Sequence, residues 1–335
     1  MPRKRGPTIR DVAKAAAVST ATVSKFMSGS QRFSAEVEAR IAAAVQQLGW
    51  SLNPMARSMA TGLTGNVGMV VLDICNPHFT SMVKGAARAA KVAGLNLIVA
   101  DAAETQAPEL AVLQALARRV DGLIVSARLP RPMLEALFAA GTPVVLYGGP
   151  SPQPDYQSVS CDNFLAGRML GMHLRERGFR RISYIAFPVA PWSEERWRGL
   201  QQAFDGVEAS FTVFHATAPT TEEGERLASQ VLLSGEMPEV VVGFNDLIAL
   251  GLLAEARALG VSVPAQVAVA GFDNTAYGRL QSPSLTSVDM LSEQVGEQAM
   301  LRLADIIAGT PVDGDSILRS RLVVRESTAA PQTMV

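Results

Sequence analysis

Cysteine, histidine and long apolar runs are scarce in this chain of 335 residues. Its two cysteines, Cys75 and Cys161, provide neither a disulfide framework nor the spacing of a zinc site, and its three histidines lie far apart. No apolar run reaches the roughly 18 residues that a membrane-spanning helix needs, and the N-terminus lacks the apolar segment of a signal peptide. We therefore expect a globular cytoplasmic protein with no metal ion and no membrane span.

Motifs of nucleotide-binding and hydrolytic enzymes are also missing. No GxGxxG follows an apolar run, and the sequence contains no phosphate-binding loop and no GxSxG elbow. A sugar-processing enzyme would need a paired acid and base, which the sequence does not indicate. These absences predict that the protein is not an enzyme and uses no cofactor.

Positive charge is concentrated at the N-terminal end. Residues 1–60 contain nine Lys or Arg against three Asp or Glu, which gives this segment a net charge of +6. Because the whole chain has a net charge of −1, the remaining residues carry −7. A basic segment on an acidic body favours a polyanionic partner.

The segment Thr8–Ser28 has the pattern of two short helices joined by a tight turn. Thr8 and Asp11 have the spacing of a capping box at the start of the first helix. Its apolar residues recur at helical spacing: Ile9, Val12, Ala13 and Ala16. The pattern breaks after Val18, and this arrangement predicts a helix-turn-helix, with an ordinary helical hairpin as the alternative.

The second helix is predicted to begin after Ser19 as its N-cap and to bury Val23 with Phe26 or Met27. Its exposed residues are small or polar, with a single cation: Thr20, Ala21, Thr22, Ser24 and Lys25. A helix face of this kind can enter the major groove of DNA and meet base edges and phosphates.

A third helix is predicted over Ser34–Leu48, because apolar residues recur on one face. Asn53 then has the character of an N-cap, and Pro54 suits the first helical position. A helix over residues 53–59 has only about two turns, which is marginal in water. We expect it to form when DNA holds it, with a plain linker helix as the alternative. The predicted domains are a headpiece over 1–52, a hinge over 53–62 and a body over 63–335.

Short apolar runs alternate with helix-length stretches in the body, which predicts an α/β doubly wound fold. The runs are VGMVVL, LNLIVA, GLIVS, PVVLY, ISYIA, EVVVGF and VAVAGF. Helices are predicted between them, for example over Phe79–Ala93 and Asp246–Leu259. About 270 residues exceed one compact sheet and favour two lobes. The Pro- and Gly-rich segment 148–157 is the predicted boundary between the lobes.

These motifs together resemble the LacI/GalR family of bacterial transcription regulators. The resemblance rests on TIRDVAKAAAVSTATVSKFMSG, NPMARSM and NVGMVVLDICNPHF, followed in order by DGLIV, TPVVL, CDNFLAG, RWRG, FNDLIALG, AGFDN and VVREST. It runs from about residue 8 to residue 326. It implies an all-α helix-turn-helix headpiece and a two-lobed body of the type I periplasmic-binding-protein kind, with a ligand cleft between the lobes.

The resemblance implies two sets of functional residues. The expected contacts to double-stranded operator DNA are Thr8, Ser19, Thr20, Ala21, Thr22, Ser24, Lys25, Asn53, Ala56, Arg57 and Met59. The expected contacts to a small-molecule effector are His78, Phe79, Ser126, Arg128, Trp192, Arg196, Asn245, Asp246 and Asp273.

Alternatives stay open for several of these residues. Phe79 also suits the core, Arg128 also suits the surface, and Asp246 is also placed to cap its own helix. The chain departs from the family pattern at Met59, where relatives usually have Leu, and at Lys25, where many have Arg. Pro219 falls where several relatives carry an aromatic wall.

The predicted function is that of an effector-controlled DNA-binding regulator, a repressor, acting as a homodimer on the nucleoid. The alternative is a soluble sugar-binding or sugar-processing protein without DNA binding. Within the family, TIRDVAKAA, SGSQRFS, NPHFTSMVKGA and DGLIVSAR suggest regulators of gluconate or 2-ketogluconate use. Arg128 and Arg196 together suit the carboxylate of a sugar acid, with a neutral sugar or a nucleobase as alternatives. Induction and co-repression are both open.

Overall fold

The computed structural model describes residues 7–27, 31–50, 62–104, 110–151, 156–233, 235–312 and 314–329. The chain forms two compact units, one up to Thr64 and one from Gly65 onward. No helix among the described residues is long and apolar enough to cross a membrane.

The N-terminal unit is a bundle of three helices: α1 (Ile9–Ala15), α2 (Thr20–Met27) and α3 (Ala35–Leu48). The Asp11 carboxylate accepts hydrogen bonds from the amide and the hydroxyl of Thr8, each at 2.7 Å, so the start of α1 is capped as predicted. The core contains Val12, Val23, Ile41 and Trp50. Trp50 lies beyond the third predicted helix and completes the core from the C-terminal side of α3.

The C-terminal unit contains two sheets of six strands each, which are parallel apart from one strand of the second sheet. The first has the order β11-β5-β4-β3-β1-β2 and the second the order β12-β10-β9-β8-β6-β7. The first sheet consists of β1 (Asn66–Val71), β2 (Asn96–Asp101), β3 (Leu123–Ser126), β4 (Val144–Tyr147), β5 (Gln157–Cys161) and β11 (Ser316–Leu318). The second consists of β6 (Arg181–Ala186), β7 (Ser210–His215), β8 (Val240–Gly243), β9 (Ala268–Phe272), β10 (Thr286–Asp289) and β12 (Arg321–Val323). Only β12 pairs in the antiparallel sense, with β10, among the strands described.

Helices connect the strands and cover the sheets. They are α4 (Pro77–Val92), α5 (Leu110–Ala117), α6 (Arg131–Ala139), α7 (Asn163–Glu176), α8 (Pro191–Gln202), α9 (Thr221–Leu233), α10 (Asp246–Ala258), α11 (Ala276–Leu280) and α12 (Ser292–Ile307). A short 3₁₀-helix spans Glu326–Thr328. Close crossings such as that of α7 and α8 depend on glycine, since a Cβ at Gly167 would lie 2.0 Å from the carbonyl oxygen of Arg196.

The lobe boundary predicted at 148–157 is wrong. That segment joins β4 to β5, and both strands belong to the first sheet. The chain crosses to the second sheet after Cys161, returns between β10 and α12, and crosses again between β11 and β12. Three crossings therefore connect the two lobes, and the ends of β5 and β10 lie beside the cleft.

Candidate effector cavity and DNA-contact surface

Helix α2 presents a small polar surface, as the sequence predicts. Val23 is buried, while Thr20, Ala21, Ser24 and Lys25 are exposed. The Ser19 hydroxyl accepts a hydrogen bond from the Thr22 amide at 3.0 Å, so Ser19 is the N-cap of α2.

The described residues differ from the predicted DNA contacts at one position, and several predicted contacts lie outside them. Thr22 is intermediate in exposure and its hydroxyl is hydrogen-bonded to the Ser19 hydroxyl at 2.8 Å, so it is less exposed than the other predicted contacts of α2. Thr8 is exposed at the start of α1. The predicted hinge contacts lie outside the described residues and stay predictions: Asn53, Ala56, Arg57 and Met59.

A cavity lies between the two lobes of the body, and it brings together residues that are far apart in the sequence. Seven of the nine predicted effector contacts line it: His78, Phe79, Arg128, Trp192, Arg196, Asn245 and Asp273. Further lining residues were not predicted, among them Met82, Glu104, Tyr147, Cys161, Asn163, Phe244, Met290 and Val295. Because the cavity is mainly apolar with a few polar groups, it has the character of a small-molecule site.

The start of α4 forms one wall of the cavity. The Asn76 side chain accepts a hydrogen bond from the His78 amide at 3.0 Å and so fixes the first turn. The Phe79 ring packs edge-on against Tyr147, with 6.2 Å between centroids, and the Tyr147 hydroxyl donates to the Val70 carbonyl. Phe79 is therefore both a core residue and part of the cavity wall.

Arg128 is paired and its side chain is only 9% exposed, so it does not lie open on the surface. Its guanidinium forms an ion pair with Glu104 and lies over the Phe187 ring of the opposite lobe, 5.4 Å from the centroid. Burial raises the pKa of Glu104, and the positive charge of Arg128 acts against that shift. The charge of Arg128 is thus already matched within the protein.

Ser126 was predicted as an effector contact, and the structure places it elsewhere. Its side chain is buried, and its hydroxyl accepts a hydrogen bond from the Arg128 amide at 3.1 Å. It does not line the cavity. Its place at the end of β3 suggested a contact, but its hydroxyl shapes the loop that carries Arg128 instead.

Arg196 on α8 is only 4% exposed and borders the cavity. Its Nε donates to the Asn163 side-chain oxygen at 3.0 Å, and its Nη1 donates to the Phe244 carbonyl at 2.6 Å. The guanidinium also lies over the rings of Phe244 and Phe272. No carboxylate among the described residues forms an ion pair with it. A buried cation without an anion can gain from an anionic ligand.

The second lobe supplies polar groups from the ends of β8 and β9. Asn245 caps α10 by accepting from the Ile248 amide at 3.0 Å, and its side-chain nitrogen donates to the Pro219 carbonyl. Asp273 has a positive φ of 108° and lies 3.3 Å from the His78 Nδ1 of the first lobe. The Asp273–His78 contact therefore crosses the cleft.

Asp246 is the second predicted contact that does not line the cavity. It is fully buried and accepts hydrogen bonds from the amide and hydroxyl of Thr275 and from the Ser287 hydroxyl. Burial and the nearby charge of Asp273 raise its pKa to about 7. Asn245, not Asp246, is the cap of α10. The Asp246 carboxylate instead holds the loop after Asp273 through Thr275.

Trp192 and Cys161 complete the cavity. The Trp192 ring packs on Gly148, where a Cβ would lie 3.3 Å from it and the positive φ of 88° also favours glycine. The Cys161 thiol donates to the Met290 carbonyl at 3.0 Å, and burial raises its pKa to about 12. Cys161 is therefore an inert wall residue and not a nucleophile. In the part of the chain that is described, no cluster of His, Cys, Asp or Glu is arranged to hold a metal ion.

Comparisons with known proteins identify the family. Residues 8–53 match the model of bacterial regulatory proteins of the lacI family, and residues 172–328 match that of a periplasmic binding protein-like domain. The HTH-type transcriptional repressor PurR of Pectobacterium carotovorum subsp. carotovorum is 30% identical over 337 residues, covering 96% of this chain and 97% of the relative. The repressor CytR of Escherichia coli (strain K12) is 29% identical, with 96% of both chains covered.

Solved structures agree with this assignment. A complex of the transcriptional regulator CelR with cellobiose is 29% identical and has a TM-score of 0.72, covering 96% of this chain and 99% of the other. The lac repressor dimer bound to operator and an anti-inducer has a TM-score of 0.85 at 24% identity, covering 97% and 100%, which supports the fold.

The chain is therefore a bacterial regulatory protein with a helix-turn-helix headpiece and a two-lobed periplasmic-binding-protein-like body. It belongs to the LacI family and is a DNA-binding repressor with an effector-binding domain, not an enzyme. The predicted family and fold class are confirmed.

Proposed function

We propose that the protein is a homodimeric repressor, acting in the cytoplasm, that binds a pseudo-palindromic operator and is released from it by a sugar acid. The surface of α2 supports the DNA part of this proposal, because its exposed residues are small, polar or basic. One helix contacts too few bases to bind its operator much more tightly than other DNA. Two headpieces on two half-sites are therefore expected. The lac repressor, which shares the fold, forms a dimer on its operator.

The domain assignment follows from the same reasoning. Residues 1–52 would bind the major groove, residues 53–62 would form a hinge in contact with the operator centre, and residues 63–335 would bind the effector and form the dimer. The hinge contacts proposed from the sequence include Asn53 and Met59.

The buried guanidinium of Arg196 is the observation that supports a sugar acid. Its Nε and Nη1 are occupied by Asn163 and Phe244, and no hydrogen bond is formed by Nη2 with a described residue. A carboxylate at Nη2 would accept a charge-assisted hydrogen bond and compensate the buried charge. Arg128 does not support binding of a ligand carboxylate, since Glu104 compensates its positive charge.

The other cavity groups suit the rest of such a ligand. Asp273 can accept from hydroxyl groups, and Phe79 and Trp192 offer apolar surfaces to a sugar ring or chain. CelR, a relative, binds cellobiose. We infer gluconate or 2-ketogluconate as the effector, and the neutral Arg128–Glu104 end of the cavity favours a neutral sugar as the second candidate.

Control of DNA binding would come from closure of the cleft. Arg128 with Phe187 and His78 with Asp273 already connect the lobes, so a ligand between them changes the relation of the lobes. The ligand acts only by binding one arrangement better than the other. We propose that the closed arrangement releases the operator.

Two experiments test these assignments. A DNA pool selected with the full chain should yield a two-fold symmetric site, and a chain lacking residues 1–62 should not bind it; binding by the truncated chain would reject the headpiece assignment. A thermal-shift panel should show stabilisation by gluconate or 2-ketogluconate and less by glucitol and ribose. Equal stabilisation by the neutral compounds would reject the sugar acid.

A further inference from the structure

Glu104 is a cavity residue that sequence motifs did not indicate. It follows β2 at the carboxyl edge of the first sheet, where Ala103 and Glu104 both have a φ of 52°. The Ala103 amide donates to the Asp101 carboxylate at 2.9 Å, which fixes the turn. A non-glycine residue in this left-handed region has a conformational cost, so the surrounding structure must hold the turn in place. This turn positions Glu104 beside the cavity.

The two oxygens of the Glu104 carboxylate have different surroundings. Oε2 forms the ion pair with Nη2 of Arg128. Oε1 is buried and has no hydrogen-bond partner among the described residues, one of three such side-chain atoms there. The other two are serine hydroxyls, and neither Ser158 nor Ser320 lines the cavity. Glu104 is thus the residue at which an unsatisfied buried acceptor coincides with the ligand cavity.

Arg128 holds the Glu104 carboxylate through its ion pair with Oε2. Its amide is fixed by the Ser126 hydroxyl, and its guanidinium lies on Phe187. The pair leaves the end of the cavity neutral but still able to accept hydrogen bonds. An ionised carboxylate accepts only, so this end favours a donor on the ligand and disfavours a second carboxylate.

We propose that Glu104 is a specificity-determining residue, whose Oε1 accepts a hydrogen bond from one hydroxyl group of the effector while Arg128 positions the carboxylate. This rests on the proposed function, with the acid group of the effector at Arg196. A polar site built for a hydroxyl rejects an analogue without it, because the acceptor is then left unpaired.

The test removes the Glu104 acceptor and single hydroxyl groups of the ligand, separately and together. Binding affinities are measured by calorimetry on the full chain. D-gluconate and its singly deoxygenated analogues are titrated into the wild type and Glu104→Leu, which removes the acceptor that Glu104→Gln would keep. In the wild type, one analogue should bind at least about tenfold more weakly than gluconate. In Glu104→Leu that loss should disappear, while losses for the other analogues remain. The matched control is Glu135→Leu, which removes an exposed ion pair with Arg131 and should leave every affinity unchanged.

A second variant separates a direct contact from a structural role. If Glu104 only neutralised Arg128, the double variant Glu104→Leu/Arg128→Gln would restore gluconate affinity, and that result would overturn the proposal. A pattern of deoxy losses that is the same in wild type and Glu104→Leu would overturn it as well.

The proposed function fails in a different way. If gluconate does not bind but glucitol does, the carboxylate at Arg196 is rejected, and the same test run with deoxygenated glucitols decides the role of Glu104. A wild type that binds none of gluconate, 2-ketogluconate, glucitol and ribose would reject both proposals.

Discussion

Replacing Arg196 with Met removes the charge from the cavity while keeping a long side chain over Phe244 and Phe272. A charge-assisted hydrogen bond to a ligand contributes about 1.5–3 kcal/mol, and about 1.4 kcal/mol corresponds to a tenfold change in affinity. Arg196→Met should therefore weaken gluconate binding roughly 10- to 100-fold. The affinity for glucitol, which has no carboxylate, should change much less.

The protein should remain folded in this variant. The bonds to Asn163 and the Phe244 carbonyl are lost, but an unpaired buried charge is lost with them. We expect a fall of about 1–3 kcal/mol in the free energy of unfolding, measured with urea. Arg198→Met is the matched control, since Arg198 is exposed on the same helix and carries the same charge. Unchanged gluconate affinity in folded Arg196→Met would refute the carboxylate assignment.

Three further outcomes are expected. Lys25→Ala should weaken all operator sequences together and reduce the salt slope of binding by about 0.9, measured by fluorescence anisotropy across a KCl series; an unchanged slope would exclude a phosphate contact. Gly167→Ala should lower stability in urea by about 1–3 kcal/mol and weaken effector binding, because its Cβ would displace the backbone of Arg196; wild-type stability would contradict the close crossing. Asp246 has a folded-state pKa of about 7 against an ordinary 3.8, so its stabilising contribution is full below pH 4 and lost as the pH rises through 7. The free energy of unfolding of the wild type, measured with urea, should therefore fall relative to that of Asp246→Asn between pH 4 and pH 7. A constant difference between the two proteins over that range would contradict this.

Apolar runs were sufficient to predict the central strands. Strands that contain polar residues were not predicted by this criterion. β1, β3 and β8 are apolar apart from Asn66 at the start of β1 and Ser126 at the end of β3, as buried parallel strands are. β10 contains Thr286 and Ser287, which are buried because their hydroxyls are hydrogen-bonded within the protein. These hydrogen bonds join residues 42 and 41 positions apart, which the periodicity of the sequence does not reveal. The lobe boundary was misplaced for the same reason, since the serine-containing β5 was not recognised as a strand of the first sheet.

The cavity was predictable where a polar residue follows an apolar strand. This rule located Arg128, Asn245 and Asp273. It did not show which way neighbouring side chains point, so Ser126 and Asp246 were included although both are turned into the protein. The pairing of Glu104 with Arg128 depends on where β2 and β3 lie in the sheet and has no local signal.

Operator affinity with and without effector tests the central claim most directly. The operator selected with the full chain is labelled, and its affinity is measured by anisotropy at fixed salt, with saturating gluconate, saturating 2-ketogluconate or no addition. An effector-controlled repressor of the inducible kind predicts at least about tenfold weaker binding with the sugar acid, within the usual range of allosteric coupling. Equal affinities under all conditions would contradict control by these acids, and tighter binding would make the sugar acid a co-repressor.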